Sequence, residues 1–511
     1  MRVPVPNHQS SSLSSSTPKL HSEPTSVLDL HRTPSPVAPD NPLSSAHDRH
    51  NNHPLDWDEQ ALHNLDWDSI MGDLGLHDDS NSSLKNNTSH DHVPNFPEFL
   101  HSQSLDQTSH LLPPDFFISE PFSNHPPTIL QSFNSFNSNN PSLDFLEDLV
   151  AAADCFDSND FQLAHVILER LNQRLQSTSS AKPIHRAAFF IKEALQSLLS
   201  PSTNRYNRLS SWSDIVHTIK AYKAFSSISP ILMFSHFTTN QALLEALNAS
   251  SFIHIIDFDI GFGGQYASFM KELAEKAESK NIAPPVLRIT AVMPEELAIE
   301  SRLIRENLFQ FAQDLKIRFH IDLVPLRTFQ TLSFKSVKFM EGEKVAILLT
   351  PSIFRRLGSV NVVASFLTDI QQVSPCVVVF VDGEGWSDSG GASFKKNLVK
   401  NLEFYATMLE SLDATGVSGE WVRRIETFVL RPKIFATVEG GGGMAAPPWR
   451  EVFDGAGMRP VALSQFADFQ AECLLGKVQV RGFQVGRRHA ELVLCWHERP
   501  LVATSAWRFK C

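Results

Sequence analysis

The chain has 511 residues, more than one ordinary domain needs, and a formal net charge of −12. Residues 1–150 carry 5 basic and 20 acidic side chains, whereas the rest of the chain carries 39 and 36, so the excess acid lies in one arm. The near-neutral remainder argues against a broad nucleic-acid-binding face. The sequence shows no signal core and no run of ~18 apolar residues, so we expect an intracellular protein outside the membrane.

Residues 1–142 form this acidic arm, which also contains 17 of the 31 prolines and 13 of the 21 histidines. Such a composition buries too little apolar surface to offset the conformational entropy lost on folding, so the arm is predicted to be disordered.

Within the arm the tetrapeptide Leu-Asp-Trp-Asp occurs twice, at residues 55–58 and 65–68. Apolar side chains that neighbouring carboxylates keep in solution are typical of segments that dock transiently into a groove of a partner. The alternative is a solvated linker whose apolar residues bind nothing. The candidate partner contacts are Leu55, Trp57, Leu65 and Trp67.

Residues 143–245 show the apolar periodicity of helices. The first helix is predicted to be capped by Ser142, the second to follow the turn at residues 157–160, and the third to begin at Pro183. The leucine stripe of the second helix forms either a dimerising zipper or a part of the chain's own core. Its candidate partner-binding residues are Leu168, Leu171 and Leu175.

From residue 246 onward, short apolar runs alternate with amphipathic helical patterns, which is the rhythm of a parallel sheet covered on both faces. Near the C-terminus the strands follow one another without crossover helices, which predicts antiparallel pairing. The predicted fold class is α/β, with a Rossmann-like, methyltransferase-like, mostly parallel sheet that ends in antiparallel strands, and with an N-terminal helical cap. The predicted strands are Phe252–Asp257, Val286–Val292, Val345–Leu349, Cys376–Asp382, Val478–Val485, Glu491–His497 and Leu501–Phe509, with a turn at residues 498–500.

The most chemically suggestive segment is the glycine turn that follows the first of these strands. An acidic residue and closely spaced glycines allow a tight turn and a close backbone approach to a ligand, as in loops that bind S-adenosylmethionine. The residues that would form such a loop are Asp259, Gly261, Gly263 and Gly264.

Two features weigh against a bound cofactor here. The next strand lacks the carboxylate that usually binds a ribose, because its acids, Glu295 and Glu296, come only after a proline. Phe258 and Phe262 place bulky rings beside the turn. We therefore expect no cofactor, and we expect glycines that serve tight strand-to-helix packing.

Other catalytic signatures are missing from the sequence. It contains no nucleophile elbow and no zinc-protease motif, and its arginine pairs are too short for a clear DNA-binding patch. His254 lies in a predicted buried strand, where we expect a hydrogen-bonded core histidine. The cysteines have no zinc or disulfide spacing, so no metal site is expected. They are Cys155, Cys376, Cys473, Cys495 and Cys511.

Several ordered motifs resemble those of the plant GRAS transcriptional regulators. The family's VHIID motif is present as Ile253-His254-Ile255-Ile256-Asp257, with Ile in place of Val. Its closing SAW motif is Ser505-Ala506-Trp507, and Trp449-Arg450-Glu451 precedes it. The resemblance covers about residues 145–511. The sequence of residues 256–265 is similar to that of the hairy meristem branch of scarecrow-like proteins.

The resemblance implies a GRAS domain over residues 143–511, with a helical leucine-rich cap at 143–245 and an α/β core at 246–511. It also implies a nuclear regulator that is not an enzyme. Such a regulator acts through DNA-binding transcription factors, and through dimers with other GRAS proteins, in meristem or shoot development. The alternatives are an S-adenosylmethionine-dependent methyltransferase-like enzyme and a direct, sequence-specific DNA binder.

The chain departs from the family pattern in two places. The Arg-Glu pair that many relatives carry is absent around Arg431-Pro432-Lys433-Ile434, so its salt bridge cannot be assumed. The arm lacks the DELLA hormone-response motif, which argues against gibberellin signalling by that route.

Overall fold

The computed structural model describes residues 144–175, 181–199, 211–248, 250–385, 393–417, 419–440, 449–476, 478 and 480–510. The acidic arm, its two Leu-Asp-Trp-Asp copies, Ser142 and Cys511 lie outside these residues.

Five helices precede the first strand of the described chain. Local signals set their ends: the Asp160 carboxylate accepts a hydrogen bond from the N–H of Leu163 in the second helix, and Ser211 and Asp214 form a capping box on the fourth. The starts predicted for the second and third helices are confirmed. The helices are α1 (Asp144–Asp157), α2 (Phe161–Arg174), α3 (Pro183–Leu199), α4 (Trp212–Ile228) and α5 (Pro230–Ala246).

Nine strands of the described residues form one sheet. They are β1 (Phe252–Asp257), β2 (Val286–Met293), β3 (Phe319–Pro325), β4 (Lys344–Leu349), β5 (Val377–Asp382), β6 (Met458–Val461), β7 (Phe483–Arg488), β8 (Glu491–Trp496) and β9 (Arg499–Phe509). The order is β3-β2-β1-β4-β5-β9-β8-β7, with β6 paired to β9. Strands β1 to β5 are parallel, and every pairing of β6 to β9 is antiparallel. The predicted fold class is thereby confirmed.

Helices follow the parallel strands and surround the antiparallel ones. They are α6 (Gly264–Ser279), α7 (Ala298–Asp314), α8 (Leu326–Leu332), α9 (Pro351–Leu357), α10 (Val360–Val373), α11 (Phe394–Asp413), α12 (Gly419–Ile425), α13 (Arg431–Gly440), α14 (Trp449–Gly455) and α15 (Gln465–Gly476). Short 3-10 turns lie at Glu295–Leu297 and Ser333–Ser336, and a π-helical turn, Glu426–Leu430, joins α12 to α13.

The sheet separates two hydrophobic cores because successive side chains of a strand point to opposite faces. On β1, Ile253 and Ile255 enter the larger core, whereas Ile256 enters the smaller one. The larger core also contains Leu171 and Ile191 of the N-terminal helices. The helical cap therefore shares its core with the sheet.

The predictions were wrong at several strands. β3 was missed because it is an edge strand with exposed His320, so it does not read as a continuous apolar run. β6 is only four residues long and was also missed. The predicted strand Val478–Val485 begins instead at Phe483, after Gly482 with its φ of +114°. The last hairpin turns at His497 and Glu498, both at positive φ, which leaves Pro500 inside β9.

Strand β9 carries the SAW residues into the sheet. Trp507 is 3% exposed and lies edge-to-face with Trp449, 5.6 Å between ring centroids, and beside Phe453 at 5.2 Å. Its indole N–H donates to the Ser505 hydroxyl at 3.0 Å. Trp507 therefore packs into the smaller core and is not available as a surface contact.

The substitution Trp507→Ala is expected to lower the free energy of unfolding by about 3–5 kcal/mol, because it leaves a large cavity in the core. The neighbouring Arg508 is exposed, so Arg508→Ala should change stability by no more than about 0.5 kcal/mol. Denaturant unfolding followed by circular dichroism measures both variants. Equal stabilities would contradict the packing role of Trp507.

Candidate functional site

The turn between β1 and α6 is organised by Asp257, the last residue of β1. One oxygen of its carboxylate accepts the N–H of Asp259 at 2.8 Å, and the other accepts the hydroxyl of Tyr266 at 2.7 Å. Both Asp257 and Tyr266 are buried. Burial raises the pKa of Asp257 to about 7, against the lowering effect of these hydrogen bonds. This carboxyl group therefore links strand, turn and helix from inside the protein.

Glycine is required at two positions of the turn for different structural reasons. Gly263 has a φ of +78°, and a Cβ added there would lie 3.1 Å from Leu308 and 3.4 Å from Ile304 of α7. Gly261 has a φ of +55°, but a Cβ added there would meet no atom within 4 Å. Gly263 thus permits close packing of α7, and Gly261 permits the left-handed backbone of the turn.

The side chain of Asp259 points to the neighbouring strand of the sheet. It accepts hydrogen bonds from the hydroxyl groups of Thr350 at 2.8 Å and of Ser352 at 3.2 Å, where β4 joins α9. Parallel strands β1 and β4 are adjacent where the strand order reverses direction, which is the usual ligand site of such sheets. Here the carboxylate at that point is bound by the protein's own hydroxyl groups.

An ion pair continues this edge of the sheet. The guanidinium of Arg355 in α9 makes a two-pronged contact with Glu384, which follows β5, and both side chains are largely buried. The stem of Arg355 passes so close to Gly440 that a Cβ there would lie 2.5 Å from it. Burying two charges is costly unless they are paired, so this pair stabilises the fold only as a unit.

Lys433 of α13 adds a second cation beside these acids. Burial alone would lower the pKa of its ammonium group, but Tyr222, Asp259 and Glu384 raise the pKa above its ordinary value. Charge at this edge is therefore balanced by side chains of the same chain. Nearby, Arg431 donates to Glu193 of α3 at 2.9 Å, so a salt bridge exists here without the family's Arg-Glu pair.

The two phenylalanines of the turn have different environments. Phe262 meets the ring of Tyr222 at 5.6 Å, on the side of the turn where we expected it. Phe258 enters the smaller core on the other face of the sheet, where it packs edge-to-face with Phe329 at 5.0 Å and Phe366 at 5.2 Å. The expectation that Phe258 lies beside the turn was therefore wrong.

Glu295, past the end of β2, does not point to a ribose-binding position. Its carboxylate accepts the backbone N–H of Arg327 at 2.9 Å, at the start of α8. Among the described residues, no group of His, Cys, Asp and Glu side chains is arranged to hold a metal ion.

The VHIID residues are internal. His254 is fully buried; its Nδ1 contacts the carboxylate of Glu343 at 2.8 Å and its Nε2 contacts the hydroxyl of Thr290 at 2.8 Å. It is thus the satisfied core histidine that we expected. Arg450, next to Trp449, pairs with Glu491 of β8 at 2.7 Å. The motif residues that the structure buries are Ile253, His254, Ile255, Ile256, Asp257, Trp449, Ser505, Ala506 and Trp507.

The leucine stripe of α2 faces inward. Leu168 and Leu171 are fully buried and Leu175 is 3% exposed, all three in the larger core. In this conformation they are not open to a partner, because they join α2 to the core. The same helix exposes Phe161 by 48%, Leu163 by 49% and Val166 by 64%, which the leucine pattern did not indicate.

The fold and this edge define a Rossmann-like scaffold whose polar groups at the usual ligand position bind one another. No helix of the described chain is both long enough and apolar enough to cross a membrane. The model of the GRAS domain family matches residues 145–508. This chain belongs to the GRAS domain family.

Individual relatives agree with this family assignment. Scarecrow-like protein 15 of Arabidopsis thaliana is 49% identical over 89% of this chain and 95% of its own length. Scarecrow-like protein 6 of the same plant is 37% identical over 71% of this chain and 62% of its length. The crystal structure of SCL7 in Oryza sativa matches 72% of this chain and 100% of that chain, with a TM-score of 0.56 and 28% identity.

We expect Gly263→Ala to destabilise the fold more than Gly342→Ala. Both glycines have φ near +80°, but only at Gly263 would a Cβ approach another side chain closely. The positive φ costs roughly 1–2 kcal/mol in each variant, and the contact with Leu308 adds about 1–3 kcal/mol at Gly263. Denaturant unfolding of the two variants gives the difference. Equal losses would show that α7 yields to the new methyl group.

Asp257→Asn tests the buried carboxyl group. The folded pKa of about 7 lies above the ordinary value of 3.8, so the folded state binds this proton more tightly. The stability that the protonated Asp257 carboxyl group contributes is complete below about pH 4 and is lost as the pH rises through 7. Relative to the asparagine variant, wild type should lose at most about 1.4 kcal/mol per pH unit between pH 4 and 7. Parallel pH profiles of the two unfolding free energies would contradict this.

Proposed function

We propose that this chain is a nuclear regulator of transcription that acts by binding DNA-binding transcription factors and not by catalysing a reaction. The observation that carries the proposal is the family match over residues 145–508. The 49% identity to a scarecrow-like protein over 89% of the chain supports it. The sequence of residues 256–265 supports membership of the hairy meristem branch and a role in meristem or shoot development.

The carboxyl edge of the sheet favours a binding scaffold over an enzyme. Asp259, the acidic residue of the glycine turn, already accepts two hydroxyl groups, and Arg355 and Glu384 neutralise each other. A cofactor that separated Arg355 from Glu384 would leave a largely buried charge without its partner, which is strongly unfavourable. The glycine turn therefore serves as a rigid support for the surfaces around it.

The exposed face of α2 is the surface that we assign to a protein partner, either a transcription factor or a second GRAS chain. Leu163 and Val166 are one helical turn apart, and Phe161 lies at the start of the same helix. Apolar side chains exposed together on a helix are typical of protein-binding surfaces. On its other face the buried leucines anchor α2, so the partner would meet a rigid surface.

The double substitution Leu163→Asp with Val166→Asp tests this surface. Proximity labelling by the full chain in plant nuclei identifies candidate transcription factors, whose affinities are then measured with purified proteins. We expect binding to weaken about tenfold or more, because charged side chains would replace a desolvated apolar contact.

The matched control is Phe466→Asp with Phe469→Asp on α15, which changes two equally exposed apolar residues elsewhere. This control should keep wild-type affinity. If it abolishes binding while the α2 variant binds normally, the partner surface is not on α2.

Calorimetric titration of the full chain with S-adenosylmethionine separates the regulator from the enzyme. We expect no binding. Micromolar affinity that is lost in Gly261→Val would overturn the proposal in favour of a methyltransferase-like protein. DNA binding by the chain alone, with a steep salt dependence, would instead favour a direct DNA binder.

A further inference from the structure

Two adjoining cavities lie at the amino-terminal ends of the parallel strands, on the sheet edge opposite the glycine turn. The first, of about 450 Å³, is lined by the starts of β1, β2 and β3 and by the end of α7. The second, of about 520 Å³, is lined by the segment that follows α8 and by the end of α10. Met340 and Glu343 line both, so the cavities form one groove, which we call the amino-edge groove.

The walls of the amino-edge groove contain large apolar side chains that are open to solvent. Large apolar side chains exposed together are uncommon on the surface of a protein without a partner, and they mark interaction sites. The exposed fractions are 42% for Phe252, 48% for Phe309, 47% for Leu332, 44% for Phe339 and 58% for Met340.

Two cations at the border of the amino-edge groove have no ion-pair partner in the described part of the chain. Arg318 lines the first cavity and Lys335 the second; both are exposed, and neither forms an ion pair with another described residue. Two acids also line the groove: Glu343 contacts His254, and Asp369 accepts the hydroxyl of Ser333. Together with Arg288, the lining therefore carries three cations against these two acids. An acidic ligand with apolar side chains would therefore complement the groove.

The floor of the first cavity contains an incomplete polar contact. The side chain of Arg288 is only 8% exposed and donates through Nη2 to Asp322 at 2.8 Å. Its Nη1 has no hydrogen-bond partner, although it lies 3.6 Å from an oxygen of Glu343. Buried guanidinium groups are normally saturated with hydrogen bonds, and a carboxylate is their strongest acceptor.

The chain itself contains a segment with the complementary chemistry. Residues 55–68 include both Leu-Asp-Trp-Asp copies, in each of which an indole ring stands between two carboxylates. Trp67 precedes Asp144, the first described residue, by 77 positions. A connection of that length spans up to about 250 Å, so the segment can reach any face of the domain.

We propose that the amino-edge groove binds residues 55–68 of the same chain, with one indole ring in the first cavity and the flanking carboxylates beside Arg318 and Arg288. The ring buries apolar area against Phe309 and Met340, and the carboxylates neutralise the cationic border. A protein partner of the acidic arm must then compete with the groove. The arm is thereby masked until such a partner, or a ligand of the groove, displaces it.

The test uses a fluorescein-labelled peptide of residues 52–70 and the full chain. Fluorescence anisotropy measures the affinity of the peptide for wild type and for a double variant that carries both Trp57→Ala and Trp67→Ala. In the double variant, residues 55–68 of the chain no longer compete with the peptide for the groove. The peptide should bind the double variant about tenfold or more tightly than wild type, because a tethered segment has a high effective concentration. Equal affinities would overturn the proposal, since the groove of wild type would then be unoccupied.

Two groove variants, Met340→Glu and Arg318→Glu, are made separately in the background of the double variant. Each should weaken peptide binding about tenfold, the first through the apolar wall and the second through the border charge. Both side chains are exposed, so the fold should survive either change, which thermal unfolding checks.

The matched control is Phe466→Glu, an equally exposed apolar residue on α15, which should leave the affinity unchanged. A peptide of the same composition in scrambled order should bind more weakly. Absence of peptide binding would overturn the proposal. So would equal binding of the scrambled peptide, or wild-type affinity in both groove variants, because the contact would then be nonspecific or lie elsewhere.

Discussion

The antiparallel pairing of β9 with β5 is the contact on which the rest of the structure depends. It runs from Val378 opposite Trp507 to Asp382 opposite Ala503, and on its other side β9 pairs with β8 and then with β6. Trp507 of this strand packs into the smaller core. The hydroxyl of Thr504 lies 2.7 Å from the hydroxyl of Thr238, so the strand also contacts helix α5. One strand thus joins the parallel half, the antiparallel half and the helical cap.

The two edges of the parallel sheet differ in how their charged side chains are paired. At the carboxyl edge, where related folds place a ligand, Asp259 binds hydroxyl groups and Arg355 binds Glu384. At the opposite edge, Nη1 of Arg288 makes no hydrogen bond with a described residue, although it lies 3.6 Å from Glu343, and Arg318 stays exposed. Asp259 and Glu384 at the carboxyl edge are thus bound by groups of the same chain, whereas Arg318 at the amino edge has no ion-pair partner among the described residues. Recognition by this chain is therefore better sought on its exposed surfaces than in the glycine turn.

The sequence predicted those elements whose apolar pattern is continuous along the chain. The run Phe252–Asp257 became β1 with the predicted bounds, because a strand covered on both faces is a nearly continuous apolar run. Edge strand β3 was not predicted, since its mixture of buried, half-buried and exposed residues does not form a continuous apolar run. The contact of Arg355 with Glu384 joins residues 29 positions apart, and the amino-edge groove assembles several loops. Neither has a signature in a linear sequence; only the strand order brings these residues together.

The strand order also has a consequence for synthesis on the ribosome. Strand β9 is translated more than 100 residues after β5. One edge of β5 therefore stays unpaired while the intervening helices leave the ribosome. An apolar strand with a free edge is a template for unwanted pairing. During that interval Phe380 lacks the cover of β9, and of its ring neighbours Phe354 of α9 precedes it in the chain whereas Trp449 follows it. A nascent chain stalled in this window would need chaperone protection that the finished protein does not.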